Sequence, residues 1–164
     1  MKAGQHPSAN AFVVRIKPKG RSAARERLAA LGEIEEVEGG GGMLMLRVAG
    51  KSSDPKAAWK RALSLLRGAG SVQPVLLDED GRPTFPTGEV TVRFKRELSD
   101  AELREFAAAK GLSFRRRNEF VREQAIFEPA RPEKIYLPDV VEEIAEGEEI
   151  RRAWANTLAR YTRI

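Results

Sequence analysis

The sequence predicts an α+β chain built from two tandem ferredoxin-like βαββαβ domains, each an antiparallel sheet with two helices on one face. Three observations predict it. The alternating segments Val14-Arg15-Ile16-Lys17 and Val92-Arg93-Phe94-Lys95 recur at an offset of 78 residues. A helical stretch ending at a Gly follows each, with Gly32 and Gly111 offset by 79. The closing strands, Val72–Leu76 and Ile150–Trp154, repeat the offset of 78.

Each element has a local reason. Phe12–Lys17 alternates as a half-buried strand does. Ser22–Leu31 then places Ala24, Leu28 and Leu31 on one helical face, and Gly32 suits a left-handed C-terminal cap. Glu33–Glu38 and Met43–Val48 read as two strands joined by the flexible run Gly39-Gly40-Gly41-Gly42. That run lacks the following Lys-Ser/Thr and helix of a phosphate-binding loop. Asp54-Pro55 is a cap with Pro at the first helical position, and Trp59, Ala62, Leu63 and Leu66 share a face, which makes Trp59 a core residue.

The second copy keeps step. Val90–Lys95 is its first strand and Asp100–Lys110 its first helix, with Leu103, Phe106 and Ala107 on one face. Ser99 with Glu102 spells a capping box, and Leu98 with Leu103 its hydrophobic staple. Ser113–Asn118 and Gln124–Glu128 follow as strands, then a helix opened by Pro138 with Leu137, Val140, Val141 and Ile144 aligned. Domains are expected at 10–81 and 89–164. Between them Asp78–Gly88, rich in Pro and Gly, reads as a turn and a linker at 82–88.

Composition narrows the function. The 164 residues are 41% apolar and 32% charged, as a globular chain requires. No apolar run exceeds four residues, so no membrane span and no export segment is expected, and the location is expected to be cytoplasmic. There is no Cys and one His, His6, so thiol catalysis, Cys-based zinc sites and a His-based triad have no residues to use. No enzyme, cofactor or metal site is expected. The net charge of +5 resides in residues 1–86, and residues 87–164 balance 15 basic against 15 acidic groups. Mixed signs favour a solvated surface over a phosphate-binding face.

The remaining charge runs are weak signals. Asp78-Glu79-Asp80 and the acidic series Glu142, Glu143, Glu146, Glu148 and Glu149 lack the register of a calcium loop. Arg115-Arg116-Arg117 falls on a strand, where one Arg must point opposite to its neighbours. It suits either a phosphate or acidic partner, or a charge-shielded sheet edge. RNA-recognition domains share the βαββαβ order, but they stack bases on strand aromatics. Here Met43–Val48 and Gln124–Glu128 hold a single aromatic, Phe127, so nucleic acid is an unfavoured partner.

The second copy also carries a family resemblance. Gly88-Glu89-Val90-Thr91-Val92-Arg93-Phe94-Lys95, Leu98-Ser99-Asp100-Ala101-Glu102, Lys110-Gly111-Leu112 and the closing Ile150–Asn156 resemble the prodomains of subtilisin-like serine proteases. The resemblance covers residues 88–164. Trp154 stands where the family usually has an acidic residue, and the usual Pro is missing. The resemblance implies an inhibitor and folding chaperone that docks its sheet on a subtilisin-like serine protease and lays its C-terminal tail in the substrate cleft. The implied tail residues are Leu158, Arg160, Tyr161, Thr162, Arg163 and Ile164, with Ile164 before the cleaved bond and Tyr161 in a pocket three positions upstream. The implied docking surface includes Arg115, Arg117, Trp154 and Asn156. The alternative is a protein- or peptide-interaction module that keeps the fold without inhibiting a protease.

Overall fold

Strand alternation and helix caps set the element boundaries in the computed structural model, which describes residues 5–37, 42–49 and 54–159. The chain runs β1 (His6–Ile16), α1 (Arg21–Leu28), β2 (Gly32–Glu36), β3 (Leu44–Val48), α2 (Pro55–Leu66) and β4 (Gly70–Leu77). It continues β5 (Pro83–Phe94), α3 (Asp100–Ala109), β6 (Leu112–Arg117), β7 (Gln124–Pro129), α4 (Leu137–Ala145) and β8 (Ile150–Ala159). The fold is α+β, with antiparallel strand pairing and four helices among the described residues. Two compact units result. One comprises His6–Pro86 with Leu158 and Ala159, the other Thr87–Thr157 with Gln5.

In the first unit the strand order is β2-β3-β1-β4. Residues paired across antiparallel strands share a face. Phe12 therefore lies with Leu46 and Pro74, and Val14 with Leu44 and Val72, all buried. Helix α2 starts at Asp54, whose side chain accepts from the Lys56 and Ala57 amides. It buries Ala58, Trp59, Ala62 and Leu66, and the Trp59 indole N–H donates to the Val72 carbonyl at 2.7 Å.

The opposite face of this sheet is also dry. Val13, Met43, Met45, Val75 and Phe85 form one cluster, none more than 2% exposed. Strand β5 brings Phe85 there. It pairs with β4 only through Thr84 and Pro83, after a turn in which the Asp78 carboxylate accepts from the Asp80 and Arg82 amides. Arg15 then donates to the Pro86 carbonyl at 2.6 Å, and burial pushes its guanidinium below the ordinary Arg range.

In the second unit the order is β6-β7-β5, with β8 also pairing β5. Val90 pairs with Phe127 and Val92 with Ala125, which puts one apolar face under the helices. Four phenylalanines fill it: Phe94 meets Phe106 edge-on at 5.0 Å, and Phe127 lies 5.4 Å from Phe106 and 5.9 Å from Phe114. The capping box of α3 is complete, with Ser99 accepting from the Glu102 amide and Glu102 from the Ser99 amide.

Several boundaries differ from the sequence expectation. The stretch 83–88, expected as linker, is the first half of strand β5. The Pro and Gly residues there read as punctuation, yet Pro86 needs no ladder partner for an N–H it lacks, and Gly88 accommodates a φ of +97°. Helix α1 stops at Leu28 and not Leu31, and Gly32 opens β2 instead of capping the helix. A Cβ on Gly32 would stand 1.8 Å from the Arg47 carbonyl oxygen, so close strand approach demands the glycine. Gly111 does take the left-handed φ of +70°. Strand β1 begins at His6, before the expected Phe12, and β8 runs five residues past Trp154. Glu38 and Gly39–Gly41 lie outside the described residues.

Two stability outcomes follow from these contacts. Trp59→Ala should cost about 3–5 kcal/mol in chemical denaturation, and Trp59→Phe about 1–3 kcal/mol, since it strands the Val72 carbonyl. Arg96 at 2.7 Å, and then the Ser99 amide, hold the Glu102 carboxyl down from 4.5 to about 2. The folded chain keeps this group ionised more readily than the unfolded chain, so its contribution is present above pH 4.5 and lost as pH falls toward 2. Glu102→Gln should lower Tm at pH 7, and the gap to the parent protein should close as pH approaches 2.

Candidate functional site

The second unit's helix-free sheet face is where its half-buried polar residues collect. Thr91 of β5 pairs with Ile126 of β7, and Arg93 with Gln124. Arg116 of β6 pairs with Ile126 on the same face. From β8, Asn156 joins them, because the Thr91 hydroxyl donates to its side-chain carbonyl at 2.6 Å. Alternation then puts Trp154 and Arg152 on this face too, with the Arg152 guanidinium 5.1 Å from the Trp154 ring centre. Trp154, Asn156 and Ile126 are half-buried, and Thr91 at their centre is buried.

Charge on the face is laid out in pairs. Arg116 reaches Glu89 at 3.2 Å, Arg115 reaches Glu128 at 3.2 Å and Arg93 reaches Glu123 at 3.2 Å. The Glu123 carboxyl is held below its ordinary range, first by its own backbone amide and then by Arg93. Such exposed pairs contribute little stability individually. They fix a pattern of sign around Ile126 and Trp154 while leaving both groups of each pair wettable.

The arginine run splits by function. A register shift between Phe114 and Arg116 leaves Arg115 as an extra residue, so Arg115 and Arg116 are both exposed. Arg117 points the other way. It donates to the Leu98 carbonyl at 2.7 Å, the Asp100 carboxylate at 2.9 Å and the Arg122 carbonyl at 2.8 Å, tying the start of α3 to the β6–β7 turn. Of the residues expected to dock a partner, Arg115, Trp154 and Asn156 thus belong to or border the helix-free face, whereas Arg117 is spent on an internal clamp.

The tail falls differently. Thr157, Leu158 and Ala159, expected beyond the last strand, are the end of β8, and Leu158 is 48% exposed. Arg160, Tyr161, Thr162, Arg163 and Ile164 lie outside the described residues. On the β8 strand itself the Gln5 side chain donates to the Ala155 carbonyl at 3.1 Å.

One exposed aromatic escaped the sequence reading. Phe120, in the β6–β7 turn, is 91% exposed, and the Asn118 carboxamide accepts from the Phe120 and Val121 amides. The signal was an aromatic placed inside a polar turn, Asn118-Glu119-Phe120-Val121-Arg122, where no core face exists to receive it. No group of three or more His, Asp or Glu side chains among the described residues is arranged to hold a metal ion. No described helix is long and apolar enough to cross a membrane. In comparisons with known proteins, no family model and no curated protein matches the chain.

The clamp makes a measurable distinction within the arginine run. Arg117→Ala should cost about 1.5–3 kcal/mol in chemical denaturation, because charge-assisted bonds to two carbonyls and a carboxylate are lost. Arg115→Ala, which loses only an exposed ion pair, should stay within about 1 kcal/mol of the parent.

Proposed function

We propose that the chain is a tandem pair of ferredoxin-like units whose second unit acts without catalysis as a prodomain-like inhibitor or chaperone of a subtilisin-like serine protease. The observation that carries this reading is the course of β8. This strand contributes Trp154 and Asn156 to a helix-free sheet face and then leads, after Ala159, into the segment Arg160–Ile164. A binder that docks by a sheet and inserts an extended segment needs that succession of docking face and tail. The strand orders β2-β3-β1-β4 and β6-β7-β5-β8 support the ferredoxin-like assignment of both units.

The division of labour between units follows from burial. In the first unit, Phe85 and Pro86 occupy the helix-free face, so that sheet offers no docking surface of its own. In the second, Ile126 and Trp154 remain half-exposed within a ring of paired charges. Apolar centres with polar rims are the anatomy of a protein-docking face. A second reading, a protein-interaction module without protease inhibition, is favoured by Phe120, since its 91% exposure on a hydrogen-bonded turn presents an aromatic anchor.

Inhibition assays on a subtilisin-like protease separate these readings. Deleting Arg160–Ile164 removes no residue of β8, so Tm should hold while inhibition weakens by about two orders of magnitude or more. Tyr161→Ala alone should cost about 2 kcal/mol of affinity, or roughly 30-fold in Kd, if it fills a pocket as an anchor does. Inhibition indifferent to both changes contradicts the tail mechanism. Failure of the intact chain to bind any such protease, with binding to another protein abolished by Phe120→Ala, establishes the module reading in its place.

A further inference from the structure

Strands β2 and β6 each pair on one side only, β2 with β3 and β6 with β7. The other side of each strand presents backbone N–H and C=O groups with no strand partner among the described residues. Their lengths match closely, Gly32–Glu36 being five residues and Leu112–Arg117 six. Their charges are opposite.

Register shows which way those charges point. Glu35 pairs with Met45 and Glu33 with Arg47, so both carboxylates lie on the face of Met45 and Val13, away from the helices of that unit. Arg116 pairs with Ile126, and Arg115 contacts Glu128, so both guanidiniums lie on the helix-free face of theirs. Two β2 strands laid together would oppose carboxylates to carboxylates, and two β6 strands would oppose arginines to arginines. Like charges directly opposite destabilise a strand pair, and unlike charges stabilise it. Of the pairings these two strands can make, only β2 against β6 brings opposite signs together.

We propose that these two edges bind copies of this same chain, β2 of one molecule adding to β6 of the next. With both helix layers on one side of the joined sheet, Glu33 and Glu35 stand beside Arg115 and Arg116 as cross-strand neighbours. The guanidiniums have capacity for this. Arg115 and Arg116 are 53% and 59% exposed, and each reaches its internal carboxylate through Nη1, leaving other donors of the planar fork. The contact is heterologous: each added molecule covers one edge and brings a fresh edge of either sign. It does not use the tail, but Arg115 and Arg116 also border the helix-free face, so a neighbouring copy and a docked protease would share these two side chains.

Sedimentation of the full chain tests this. The weight-average mass should rise with concentration between about 10 and about 500 μM at low salt. It should fall back toward the monomer at about 0.5 M salt, where exposed charges are screened within a few ångströms. Glu33→Lys with Glu35→Lys makes both edges basic, and Arg115→Glu with Arg116→Glu makes both acidic. Each double variant alone should sediment as a monomer, and an equimolar mixture of the two should associate again. A monomeric parent at every concentration, variants that associate as the parent does, or a mixture that stays monomeric would each overturn the proposal. Should a variant fail to fold, hydrogen exchange on the parent decides. Concentrating it should slow exchange in β2 and β6 together, and slowing confined to other elements refutes the pairing.

Discussion

Burial of Phe85 against Val13, Met43, Met45 and Val75 is the constraint on which the functional reading depends. A single sheet layered with helices on one side leaves its other side to water, to a partner or to its own chain. In the first unit the chain itself fills that place, and Arg15 fastens the covering segment through the Pro86 carbonyl. The cost is a guanidinium desolvated enough to lower its pKa, offset by a short charge-assisted hydrogen bond. Among the described residues, the helix-free face left open to solvent is therefore that of the second unit.

The second unit meets the same sheet problem with different side chains. Its helix-facing side is closed by interlocking phenylalanines from β5, α3, β6 and β7. The reverse side carries Thr91, Asn156 and Ile126 bordered by arginine–carboxylate pairs. Such a face stays soluble because its charges are satisfied locally. A partner covering it would exclude water around Ile126 and Trp154, at a desolvation cost for the exposed ion pairs that its own polar groups must offset. Arg117 holds α3 and the β6–β7 turn together, so the strand that bears Arg115 and Arg116 is supported from beneath.

How much of this was legible in the sequence depended on whether the signal was local. The start of α3 was written in Ser99, Glu102, Leu98 and Leu103, and both capping-box bonds are present with Leu98 and Leu103 buried. The Asp54-Pro55 start of α2 was equally explicit. The duplicated βαββαβ order was readable from the strand alternation of Val14–Lys17 and Val92–Lys95 and from the matched helices after them. What failed was whatever tertiary context decides. Pro83, Pro86 and Gly88 resemble a linker by composition, but a strand that leaves its ladder to cover another face tolerates them. Gly32 resembled a cap, and its real demand is the proximity of the Arg47 carbonyl. On the candidate face, Trp154 and Asn156 were expected through a family resemblance. Thr91 and Ile126 were not, because only register reveals that they share a face with those two.

The central claim is that the helix-free face of the second unit, continued by the segment after β8, is the surface a partner covers. Hydroxyl-radical footprinting of the chain, alone and bound to an active-site-blocked subtilisin-like protease, tests it most directly, since it reads the accessibility of individual side chains. The account predicts that Ile126, Trp154 and Tyr161 become protected together, while Phe120 and the exposed side of α4 label as before. Protection centred on Phe120 or the helices, with Ile126 and Trp154 labelled as in the free chain, would contradict it.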